Sequence, residues 1–134
     1  MKKVLFILMI GFVFLLSSCQ FSSHGELFDN EDKMVASGDT YSFLGMVENK
    51  NDIRFKRFSG IYTLHVYRED EDFILDITTD IESGRFKFFI VNKDDEITLL
   101  NEGKNVIISD GSRIRLRIAG DDAVGSMTFS IKTT

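Results

Sequence analysis

Past its first three dozen residues the chain is expected to be all-β, a single antiparallel β-sandwich of about eight strands. Three observations predict this. Apolar and polar residues alternate in runs of period two, as a strand with one buried and one wet face requires. Turn-forming pairs separate these runs at intervals of roughly 8–12 residues. After the first eighteen residues no long 3.6-residue period competes with the alternation.

The first segment is different. Lys2 and Lys3 precede an apolar run from Val4 to Leu16, and Ser17, Ser18 and Cys19 follow. A basic start, a short apolar stretch and small residues make a secretory signal, which is removed and carries no fold information. The run is shorter than the roughly 20 residues a permanent membrane helix needs. The expected organisation is a signal over residues 1–18, a tether over residues 19–37 and a folded domain over residues 38–134. The tether is mostly polar, with scattered apolar residues and room for a short helix or edge strand near its end.

Within the domain, Phe73, Leu75, Ile77, Thr79 and Ile81 share one strand face, with Ile74, Asp76, Thr78, Asp80 and Glu82 on the other. Phe86, Phe88 and Ile90 repeat the pattern after Ser83 and Gly84. Ile114, Leu116 and Ile118 are expected to point inward and Arg113, Arg115 and Arg117 outward. Met127, Phe129 and Ile131 complete the inward set. Further strands are expected at residues 41–47, 61–67, 97–100 and 106–109. Ser59–Gly60, Ser83–Gly84, Glu102–Gly103, Asp110–Gly111 and Gly120–Asp121 supply the turn chemistry. Residues 88–91 are apolar on both faces, so that strand is expected to be central or covered.

Composition narrows the function. Cleavage after residue 18 leaves fourteen basic against twenty-one acidic residues, a formal charge of about −7. That balance opposes nucleic-acid binding and electrostatic docking on an anionic leaflet. Cys19 is the single cysteine, so no disulfide is expected and the domain relies on its hydrophobic core. About 100 residues suffice for one such core.

Leu16, Ser17, Ser18 and Cys19 resemble the lipobox of bacterial lipoproteins. The resemblance implies cleavage before Cys19 and a thioether-linked diacylglycerol on it, which supplies the two acyl chains that stable anchoring takes. It also implies an exported protein held at the cell membrane, or at the outer membrane in a host with two. Gln20 is not the aspartate associated with inner-membrane retention. A second resemblance involves residues 112–131, similar to the closing hairpin of small jelly-roll domains in bacterial surface lipoproteins, and residues 59–66, similar to their opening strand. It implies a jelly-roll-like fold and no particular activity.

Candidate chemistry is sparse. Arg113, Arg115 and Arg117, two residues apart on one face, would hold three guanidinium groups at about 6.5–7 Å spacing, a geometry suited to an anionic polymer. The alternative is pairing with an acidic row such as Asp76, Asp80 and Glu82. Residues 52–58 interleave Arg54, Lys56 and Arg57 with Phe55 and Phe58, a pattern that suits an anionic or glycan partner or an amphipathic edge strand. Tyr41, Phe43, Tyr62 and Tyr67 offer aromatic surface, but the chain has no tryptophan. His24 and His65 have no adjacent nucleophile motif. The acidic stretches 69–72, 94–96 and 121–122 lack the spacing of a calcium loop. The expectation is a lipid-anchored envelope protein with a non-catalytic binding or structural domain. No cofactor, metal or nucleic acid is expected, and an envelope glycan or a protein is the candidate partner. The alternatives are a glycan- or polyanion-binding domain and an envelope hydrolase.

Overall fold

A computed structural model describes residues 25–133. The expected signal segment and Cys19 lie outside them. The chain enters through a 3-10 helix (Gly25–Asp29) and a short helix α1 (Glu31–Val35). Seven strands follow: β1 (Thr40–Leu44), β2 (Val47–Asn49), β3 (Asp52–Tyr67), β4 (Phe73–Val91), β5 (Ile97–Leu99), β6 (Gly103–Ile107) and β7 (Ile114–Thr133). The fold is all-β and antiparallel throughout.

β7 is central, with β3 on one side and β4 on the other. Each of these flanking strands carries two short strands on its far side, β1 and β2 on β3, and β5 and β6 on β4. The hydrogen-bond register therefore divides one continuous sheet into two layers. The first contains β2, residues 52–55 of β3, residues 125–133 of β7, residues 73–81 of β4, and β6. The second contains β1, residues 57–67, residues 114–120, residues 85–91, and β5. Side chains from both layers meet in one core, including Ile53, Leu75, Ile77 and Met127 from the first and Phe88, Leu116 and Ile118 from the second. A single sheet folded over on itself thus makes the sandwich.

The fold line is written in glycines and register shifts. Pairing slips between Phe55 and Phe58 in β3 and between Ile81 and Arg85 in β4, the extra residues that bend a strand and increase its twist. Gly84 there has φ +81°, and its missing side chain lets the Asp122 carbonyl lie directly against its Cα.

These bends correct where the expected strands end. Ser59–Gly60, Ser83–Gly84 and Gly120–Asp121 lie inside β3, β4 and β7, not between strands. Two pairs of expected strands are therefore fused, and the expected closing hairpin is one bent strand. Gly103 and Asp110–Gly111 do mark breaks, with the Gly111 amide donating to the Glu69 carbonyl at 2.9 Å. Residues 52–58, expected at an edge, have β2 and β1 on one side and β7 on the other. Ile131, expected inward, is exposed near the end of β7.

A second, smaller core lies on the outer face of the second layer, where Ile61, Phe89, Val91 and Ala119 are covered by Met34 of α1. Residues 88–91 are all buried, as their two-sided apolar pattern predicts. Their outward half is roofed by the segment that precedes β1.

Candidate functional site

The segment from Gly25 to Asp39, which largely coincides with the expected tether, is strapped across the sheet. Asn30 caps α1, its side-chain oxygen accepting from the Lys33 amide at 3.2 Å, and Glu31 and Asp32 occupy the first turn, where acids suit the helix dipole. Met34 is buried, and Leu27, Phe28 and Val35 pack around the same small core. Burying one methionine contributes about 1.5–3 kcal/mol. Asp29 pairs with Arg85 at 3.2 Å and Lys87 at 3.7 Å, and both cations sit 4.4 Å from the Phe28 ring centre.

Arg115 and Arg117 hold the other end. Alternation along β7 puts them on the outer face, as expected, yet they are only 5% and 0% exposed. Arg117 lies between Thr63 and Phe89 on the flanking strands, and Arg115 between Val66 and Val91. The Arg117 Nη1 donates to the carbonyls of Lys33 (3.2 Å), Met34 (2.5 Å) and Ala36 (2.8 Å). Its Nη2 donates to the Gly38 carbonyl (2.8 Å) and to Asp39 Oδ1 (3.1 Å). Arg115 donates to the carbonyls of Ala36 (2.7 Å) and Val35 (2.8 Å). The Lys33, Met34, Val35 and Ala36 carbonyls are those a helix leaves unpaired at its C-terminal end, and two guanidinium groups satisfy them. Asp39 also accepts from the Thr63 amide and hydroxyl at 3.0 and 2.8 Å. Burial pulls the pKa of both arginines down, Asp39 opposing the shift at each and Asp95 at Arg115. Their Nε atoms are buried without a partner among the described residues.

The expected ladder of three outward guanidiniums is thereby corrected. Arg113 is exposed just before β7, while Arg115 and Arg117 are closed off by the strap. Their partners are not the row Asp76, Asp80 and Glu82, which lies along the other half of β7. The second expected ligand stretch also separates. Arg54 and Lys56 are exposed, but Phe55 and Phe58 belong to the main core. Phe58 stacks on Phe43 with ring centres 4.5 Å apart. Tyr41 meets Tyr62 edge-on at 4.8 Å, and the Tyr62 hydroxyl donates to Glu48 at 3.0 Å.

His65 is exposed on β3 with its ring 4.5 Å from that of Tyr67. The acidic stretches serve local contacts. Asp121 binds Arg85 at 2.9 Å, Asp122 binds Arg57 at 2.8 Å, and Asp72 accepts from the Ser109 amide at 2.8 Å. Among the described residues no group of three or more His, Cys, Asp or Glu side chains is placed to hold a metal ion. No helix among them is long and apolar enough to cross a membrane. Beside the strap, a shallow cleft of about 480 Å³ is lined by Asp29, Glu31 and Asp95 with Lys87, an acid excess that disfavours anions.

Sequence reasoning allowed for the short helix but missed its docking on the sheet, although two signals carried it. Leu27, Phe28, Met34 and Val35 are four sizeable apolar residues in a supposed tether. Phe89 and Val91 face outward beside Arg117 and Arg115, so whatever roofs them also roofs the arginines. No family model, no curated protein and no solved structure matches the chain.

Proposed function

We propose that this is an exported lipoprotein, anchored through diacylglyceryl-Cys19, whose β-sandwich is a non-catalytic binding or structural module held close to the membrane. The observation that carries the anchor is the run Leu16, Ser17, Ser18 and Cys19, and the docking of the strap by Arg115 and Arg117 supports the close placement. The segment from Gly25 onward, six residues after Cys19, belongs to the domain, so a pull on the lipid is transmitted to the central strand of the sheet. A free tether of residues 19–37 would have let the domain roam some tens of ångströms. With the strap bound, only the stretch from Cys19 to Gly25 separates lipid from fold, at most about 20 Å when fully extended.

The test is fractionation of cells expressing the full chain and its Cys19→Ser variant, with the mass of the mature N-terminal peptide measured. The expected result is a membrane-bound wild type carrying a diacylglyceryl mass on Cys19, and a variant lost from the membrane lipoprotein fraction. A mature chain found free, with an unmodified Cys19 thiol, would refute the anchor.

A further inference from the structure

We propose that the protein has a second membrane contact, an apolar corner at the fold line that inserts into an anionic phospholipid surface beside the lipid anchor. The inference rests on the anchor reading above. Leu44, Met46 and Val47 are 65%, 38% and 63% exposed and follow one another around Gly45, where the edge of the sheet passes from β1 to β2. Contiguous apolar exposure of this kind marks an interaction site.

Cations rim the corner. Lys56 lays its aliphatic stem against Gly45, Arg54 sits opposite Val47, and Lys50 occupies the turn that follows β2. All three are exposed, and among the described residues none makes an ion pair. The neighbouring acids are engaged, Glu48 with Tyr62, Asp52 with Thr128 and Asp122 with Arg57. Three cations beside the charged carboxylates of Glu48 and Asp52 leave a slight local positive excess in a domain of net negative charge, which suits lipid phosphates.

The position of the chain entry selects lipid over other occupants. Gly25 lies against the Asp121 carboxylate. The next residue, Asp122, binds Arg57, which pairs with Leu44. The strap therefore begins at the same fold line as the corner, and the short stretch from Cys19 keeps any acyl chains near it. Strand addition at this edge is disfavoured, because Gly45 at φ +60° interrupts it between β1 and β2.

The experiment places an environment-sensitive fluorophore on Leu44→Cys in the lipidated protein, where Cys19 is blocked by its thioether, and on Ile108→Cys as a control beyond β6. Vesicles contain phosphatidylglycerol and phosphatidylcholine in equal parts. The expected result is blue-shifted, quencher-protected emission at residue 44 and water-like emission at residue 108. The same Leu44 probe in the mature chain bearing Cys19→Ser is titrated with these vesicles, which keeps the inference testable if the anchor reading fails. It should shift there too, and Leu44→Ser with Val47→Ser, in a chain labelled at the far Ile108 position and followed by flotation, should weaken vesicle binding about tenfold or more. Water-like emission at residue 44 on vesicle-bound protein, or no shift in the titration, would overturn the proposal. So would a concentration-dependent shift at residue 44 without lipid, which would assign the corner to a second copy of the chain.

Discussion

Arg117 shows what a charged side chain can do on the outer face of a sheet. Its two terminal nitrogens serve four backbone carbonyls and one carboxylate, so removing it strands several acceptors at once. Arg117→Ala should therefore cost about 2–4 kcal/mol, measured by urea unfolding, and should open the strap to trypsin at Lys33. Arg113→Ala should stay within about 0.5 kcal/mol of wild type. Tyr67 makes a separate prediction. Burial, aided by Glu69, raises its hydroxyl to about 12, above the ordinary 10.0. The folded state thus favours the neutral phenol, so this contribution is intact below pH 10 and is lost as pH rises from about 10 to 12. Tyr62 shifts the same way, to about 12, through burial and then Glu48. Urea melts across this range should show declining stability, and Tyr67→Phe should flatten the decline. Equal pH dependence in both proteins would contradict this.

At the scale of elements, the long strands depend on their bends. Gly84→Ala would force a side chain into a positive φ and onto the Asp122 carbonyl, with an expected cost of at least about 1–3 kcal/mol. A thermal melt indistinguishable from wild type would show that this bend relaxes freely. The alternation at residues 73–81, 114–118 and 126–129 was legible because each run carries its own period and its own buried face. Whether Ser83–Gly84 ends a strand or bends it was not legible, since glycine permits both and the choice is made by the partner strand. The strap was hidden for a related reason. Helix α1 is too short to impose a period, and Met34 and Val35 read as a brief apolar pair in a polar stretch until Phe89 and Val91 are placed beneath Met34. The arginine face was assigned to the correct side of β7, but exposure depends on what lies above a face, which alternation does not encode.

At the scale of the molecule, the described residues form a sheet folded across a line, with a strap crossing one outer face. Gly25, the Arg57–Asp122 pair and the apolar corner at Leu44 all gather at that line. This arrangement puts the chain entry and the apolar corner along one edge and leaves the outer face of the first layer, with Thr78, Asp80 and Thr128 exposed, clear of the strap. It holds only if the strap is bound in solution. Hydrogen exchange measured by mass spectrometry on a chain that starts at residue 19 and bears Cys19→Ser tests this most directly, because the amides of Asn30, Lys33 and Met34 all donate within the strap. The account predicts slow exchange for the strap peptide in the otherwise wild-type chain. It also predicts fast exchange there in Arg117→Ala, with β7 still protected. A strap that exchanges at the unstructured rate before any arginine is removed would contradict it.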